Sequence, residues 1–210
     1  MATHTRTIQA FDYDWEYSSR VSVLFGIFGL VAVVGWLVSV MLTAIHMFAL
    51  PAIPADAPVQ GSIEVITSPW AYVFGIPLAS LGAVYYLGTL GLTLWWFDTR
   101  HPLIIKILTP ITASGVAFSA YFVYLQLVPI GEICPFCMVS ASATVILFGL
   151  ELAILSKSST PSLSAMYPDL KRLVGETNLA VIAFPMLIGA MTILGLFAVP
   201  MLPLPEVVPF

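Results

Sequence analysis

The 210 residues are 60% hydrophobic and 9% charged, with a net charge of −4 and a mean hydropathy of +1.01. A soluble domain of that size cannot hide so much apolar surface, so the composition points to the bilayer and away from a water-soluble globule. Net charge says little about partners in so apolar a chain. No P-loop, nucleotide-binding or haem-attachment motif occurs, and nucleic acid is not an expected ligand.

The first 20 residues (MATHTRTIQAFDYDWEYSSR) are polar and acidic, which is not the form of a cleavable signal peptide. Apolar windows of about 20 residues then predict five spanning helices. The first runs roughly from Val21 to Leu50 and carries His46 near its far end. In the loop that follows, Ile53, Val59, Ile63, Val65 and Ile66 stand between prolines, a pattern expected of a cap over the bundle's mouth, more mobile than the spans. The second span, Trp70 to Phe97, begins in the run SPWAYVFGIPLASLGAVYYLG. There Gly75, Ala79, Gly82 and Ala83 predict a small-residue face for close helix contact, and Pro77 an interruption of the helix where it lines a cavity.

The third span, Leu103 to Ile130, holds Lys106 near its start and Gln126 near its end. The fourth, Pro135 to Ser156, is preceded by Cys134 and carries Glu151 near its close. Lys106 and Glu151 reach similar depth at about 1.5 Å per residue, so they are expected to pair or to snorkel to the interface. Residues 157–178 reverse the chain, and a fifth span runs from Leu179 to Leu202. The expected architecture is a single all-α integral membrane domain over residues 1–210.

With five spans, every Lys and Arg (Arg6, Arg20, Arg100, Lys106, Lys157, Lys171, Arg172) falls on one side, which the positive-inside rule assigns to the cytoplasm. The other side holds Asp56, Glu64, Glu132 and Glu206. Cys134 and Cys137 would then lie at the extracytoplasmic face of a multi-pass cell-membrane protein. Trp70, Trp95, Trp96 and Phe97, at span ends, fit an interfacial aromatic belt.

The two cysteines, in GEICPFC, decide the chemistry. Pro135 suits the first position of a helix, which puts Cys134 at the cap and Cys137 one turn inside. The free N–H groups and positive dipole end there favour a thiolate. A disulfide between them would close a small strained ring, suited to being made and broken. Two packing thiols remain an alternative. A zinc site needs about four ligands, and His4, His46 and His101 are scattered, so no metal is expected. A redox dithiol is the leading reading.

The run V-x-x-S-x-x-A-x-x-x-G-I-P-x-A-x-x-G-x-x-Y-Y from Val65 to Tyr86, followed two spans later by C-P-F-C, resembles the vitamin K epoxide reductase family in its prokaryotic form. The resemblance covers spans one to four. It implies four of the helices bundled around a quinone, of menaquinone, ubiquinone or phylloquinone type, with the C-x-x-C at the outer mouth. Electrons would pass from the dithiol of a thioredoxin-like extracytoplasmic partner to the C-x-x-C and on to the quinone. Cys137 would face the quinone, and Cys134, nearer solvent, would exchange disulfides. Some bacterial members carry a fused thioredoxin-like domain; this chain stops at Phe210, so the partner is expected to be a separate protein.

The family pattern C-x-x-V-x-x-S reads here Ser62-Ile-Glu-Val65-Ile-Thr-Ser68, so a shuttle cysteine is replaced by Ser62. Its companion is absent from the stretch Pro54, Ala55, Asp56, Ala57. Either this is a natural variant whose C-x-x-C meets its partner directly, or the loop cysteines were exchanged by design. Around the pocket, Trp70, Phe74 and Met138 are candidates to line an apolar quinone site, or plain packing. Gln126 is a candidate donor to a quinone carbonyl, or an interhelical hydrogen bond. Ser68 is carried over from the family motif, or is a helix cap before Pro69. His46 is a candidate proton relay, or an interfacial histidine facing water. The two functional readings are a membrane thiol oxidase that reduces a quinone and a non-catalytic membrane subunit that kept the fold.

Overall fold

The structure is a computed structural model that describes residues 5–8, 15–49, 60–158, 160 and 177–198. Helix α1 (Arg20–Ala44) continues through a π-helical turn to Ala49; α2 (Ser62–Thr67) is a short helix; α3 (Leu78–Thr99), α4 (Pro102–Leu125) and α5 (Pro135–Ser156) are long, and α6 is Leu179–Ala198. Among the described residues, four helical segments are long and apolar enough to cross a membrane: Arg20–Phe48, Leu78–Thr99, Pro102–Ile130 and Pro135–Ser156. The chain is therefore an all-α, multi-pass membrane protein. Strands β1 (Thr5–Ile8) and β2 (Trp15–Ser18) pair in one small hairpin, and the two-residue strands β3 (Tyr72–Val73) and β4 (Ile76–Pro77) form another.

The helices form a ring. α1 lies along α3 and α5, α5 along α4, and α4 closes the ring against α3; α6 leans on the outside of α3. Small residues permit the closest approaches. Gly35 of α1 faces the Tyr86 ring so closely that a Cβ there would overlap it, and Gly91 of α3 faces the sulfur of Met186 on α6. The Tyr86 hydroxyl then donates to the Ser140 carbonyl (2.6 Å) and meets the Thr144 hydroxyl (2.8 Å), which fastens α3 to α5.

The two halves of the ring differ. The half away from the cysteines is filled by Phe25, Phe28, Trp96, Ile104, Leu108, Leu147 and Ile154, all fully buried. Phe25 stacks on Trp96 at 3.9 Å. Arg100 closes this end: it lies 4.4 Å over the Trp96 ring and donates to Ser22 at 2.9 Å. Trp96 is thus a core residue and not a member of an interfacial belt. The half toward the cysteines is hollow.

The second span begins later than hydropathy suggests, at Leu78 and not Trp70. Residues 69–77 form a 3-10 turn and the β3–β4 hairpin, whose tip needs positive φ at Phe74 (51°) and Gly75 (81°). Pro77 does not interrupt a helix; it precedes one, where its missing N–H goes unused. Gly75 accordingly drops out of the small-residue face, while Ala83 is buried and Gly82 lies against Ser39 of α1. The expected Lys106–Glu151 pair does not form. Glu151 is fully buried and its Oε1 accepts from the Thr109 hydroxyl at 2.9 Å, one turn along α4 from Lys106. Residues 51–59 of the loop after α1, including Pro54 to Ala57, and the chain reversal at 161–176 lie outside the described residues.

Candidate active site

The start of α5 follows the sequence closely. Pro135 is its first residue and Cys134 its N-cap, the Cys134 sulfur accepting the Cys137 N–H at 3.3 Å. Both cysteines are free thiols. Gln126 fixes the cap from the end of α4: its side-chain oxygen accepts the Cys134 N–H at 2.8 Å. That oxygen is therefore committed to the dithiol, and its Nε2 reaches the Phe122 carbonyl only at 3.5 Å. Gln126 thus holds the cysteine turn in place with its oxygen, while the residue also lines the cavity and its Nε2 is the group that could donate to a quinone carbonyl.

Burial reverses one expectation. Cys134 is fully buried, whereas Cys137 is half-buried. The cover over Cys134 is α2, whose Val65 and Ile66 cluster with Leu42 and Cys134. The apolar residues of this stretch pointed to a cap over the mouth, and in its described part α2 covers Cys134. The Ser62 side chain, at the start of α2, is near enough to favour the Cys134 thiolate. The Cys134 thiol is held well below the usual thiol range, first by the hydrogen bond from the Cys137 side chain, with the Cys137 N–H and Ser62 adding to it against the opposing effect of burial. Glu132 latches α2 from the other side by accepting the Gly61 N–H at 3.2 Å.

Cys137 opens onto a cavity of about 430 Å³ between α3, α4 and α5, with α1 behind it. That volume lies in the ~300–1,000 Å³ range of small-molecule sites, and like them it is mostly apolar with a few polar groups. Its walls include Ser68, Trp70 and Gln126 of the sequence candidates, and His46, whose ring packs edge-on against Tyr72 at 5.0 Å. Ser68 does not use its side chain as a cap: its hydroxyl donates to the Val65 carbonyl at 2.8 Å. Two candidates lie elsewhere. Phe74 is fully exposed at the hairpin tip, and Met138, one helix position and hence about 100° round from Cys137, faces a separate groove with Ile27, Leu30 and Val31 of α1. Neither lines the cavity.

The inner end of the cavity is built by residues to which the sequence reading gave no role: Tyr85, Tyr86, Gly115, Ser140 and Thr144. The adjacent tyrosines in a small-residue helix were the available signal. No cluster of His, Cys, Asp or Glu that could hold a metal occurs among the described residues.

The model of the vitamin K epoxide reductase family matches residues 23–152, from the first turn of α1 to near the end of α5. The chain belongs to that family. The matched segment contains α2, the cavity and both cysteines, the parts that carry the chemistry. Comparison with curated proteins found no match. Family membership makes the chain a membrane oxidoreductase linked to thiols and quinone, and the cavity fits such a group. An apolar chamber touches a thiol at one end, while at the other the buried Tyr85 hydroxyl has no hydrogen-bond partner among the described residues.

Proposed function

We propose that this protein is a thiol oxidase that takes electrons from the dithiol of a thioredoxin-like extracytoplasmic protein and delivers them to a membrane quinone. The observation that carries the reading is the position of Cys137, in the wall of an apolar cavity and in contact with an N-capping Cys134 whose thiol is acidified. A partner thiolate attacks the Cys134–Cys137 disulfide and releases the Cys137 thiolate. The partner's second thiol then displaces Cys134, so that the partner leaves oxidised and both cysteines are reduced. A bound quinone supplies the acceptor for that electron pair and two protons. Re-forming the Cys134–Cys137 bond completes the cycle, with Cys137 facing the acceptor. The Cys134 thiolate is the better leaving group and nucleophile for exchange.

Ser62 cannot exchange disulfides, and its influence on the Cys134 thiol supports reading it as the position of a lost shuttle thiol. On this reading the partner reaches Cys134 directly, after α2 lifts. The described basic residues that flank spans support a cytoplasmic placement of the opposite end: Arg20 opens α1, Arg100 caps α3, Lys106 lies in the first turns of α4 and Lys157 caps α5, all remote from Cys134.

The test is reduction of a decyl-tailed ubiquinone and of menadione by purified protein supplied with a reduced thioredoxin-like donor. Hydroquinone should form with the native chain and not with Cys134→Ser or Cys137→Ser. A native chain that binds quinone but forms no hydroquinone when supplied with the reduced donor would be the non-catalytic subunit instead.

A further inference from the structure

Tyr85 is the unexplained residue of the cavity. Its neighbour Tyr86 has its hydroxyl satisfied by Ser140 and Thr144, but the Tyr85 hydroxyl, equally shielded, meets no partner among the described residues. Nearby hydroxyls offer it nothing obvious: Ser114 donates to the Ile111 carbonyl and Thr144 to the Ser140 carbonyl. Buried polar groups are nearly always paired, because an unpaired one forfeits its bond to water without return. The fold also makes room for this oxygen. Gly115 of α4 lies opposite, and a Cβ there would collide with the Tyr85 hydroxyl.

Tyr85, Gly115 and Thr144 line the same cavity as Cys137. Thr144 is two turns along α5 from Cys137, about 10 Å at 1.5 Å per residue. That depth suits a ring with a carbonyl on each side: one edge against the Cys137 sulfur, and the remote oxygen within about 2.8 Å of a phenol, the usual O–H···O distance. We propose that Tyr85 donates a hydrogen bond to the quinone carbonyl remote from Cys137, and that Gly115 is the clearance that lets it do so. The inference rests on the thiol–quinone reading and adds the residue that sets the depth and orientation of the head group. The same bond strengthens as charge builds on that oxygen during reduction, so the phenol both binds and polarises the acceptor.

The experiment compares the native chain with Tyr85→Phe, using decyl-ubiquinone carbonyl-labelled with carbon-13. Affinity is read from quenching of tryptophan fluorescence, with Trp70 in the cavity wall as reporter, and hydrogen bonding from the infrared carbonyl bands. In the native chain one band should fall to lower frequency. In Tyr85→Phe that shift should vanish, and Kd and KM should rise about tenfold, the scale of one neutral hydrogen bond. The Tm should not fall, because no protein partner is lost. Gly115→Ala, which keeps the hydroxyl but obstructs it, should weaken binding in the same direction. Native affinity and an unchanged carbonyl spectrum in Tyr85→Phe would overturn the proposal and leave the thiol–quinone reading intact, as would a Tm lowered by several degrees. A native chain that binds no quinone would overturn that reading itself.

Discussion

At the scale of single residues, the dithiol is defined by what donates to it. The Cys134 sulfur receives the Cys137 N–H, and the Cys137 and Ser62 side chains lower its pKa. A disulfide is expected to form reversibly between the two thiols. Mass spectrometry after alkylation, with and without prior reduction, should show two labels only in the reduced sample; equal labelling in both would remove the redox reading. The acidified Cys134 also sets a pH dependence. With its folded pKa depressed, the reactive thiolate persists below the usual thiol range and is lost as pH falls through the lowered value. Ser62→Ala deletes one donor and should move the midpoint of the Cys134 alkylation-rate profile to higher pH. A midpoint that stays put or drops would show that the hydroxyl does not stabilise the thiolate.

Among the elements, α2 and the Tyr86 tie govern access and rigidity. α2 is too short to be a stable helix by itself. It is held by burial of Val65 and Ile66 and by the bond from the Gly61 N–H to Glu132. Glu132→Ala removes the latch without touching the thiols, so Cys134 should alkylate several-fold faster in the reduced protein while Cys137 changes less. No acceleration would mean that α2 does not control access. Tyr86→Phe deletes the links to Ser140 and Thr144 that join α3 to α5. It should lower stability by about 1–2 kcal/mol, read as a reduced Tm in detergent, and contrasts with Tyr85→Phe, where no such loss is expected.

For the whole molecule, the division into a packed half and a hollow half separates stability from chemistry. Glu151 sits in the packed half, 14 residues from Cys137 and on the order of 20 Å along α5. Its Oε1 accepts from Thr109, and its Oε2 has no partner among the described residues. Thr109→Val should therefore destabilise by about 1–3 kcal/mol, and Glu151→Gln, which keeps an acceptor for Thr109, should leave quinone reduction per folded molecule nearly native. A well-folded but inactive Glu151→Gln would place a proton route through the packed half.

Much of this was legible in the chain because it is local. Apolar runs fix where helices span, since lipid demands that every backbone group be satisfied within the segment. The order Cys-Pro-x-x at a helix start fixes the cap and the Cys137 N–H bond, since the first turn has donors to spare. The order of the spans brings the end of α1, the start of α3, the end of α4 and the start of α5 to one face. The apolar residues after α1 did point to a cap over the mouth, but the partners that non-local contacts bring together were not legible. That Cys134 is covered depends on α2 folding back onto Leu42, and that Glu151 meets Thr109 and not Lys106 depends on how α4 and α5 rotate against each other. Phe74 left the cavity because its hairpin turns outward, and Met138 because one residue of helix is a rotation of about 100°. Tyr85 and Gly115 lie on different helices, and only their packing sets a hydroxyl against the one residue type without a Cβ. Sequence by itself determined the membrane fold and the dithiol, because hydropathy and helix capping act over a few residues. Tertiary structure decided which sulfur meets the cavity and what lines it, because helix rotation and chain reversal are set by packing between segments distant in the chain.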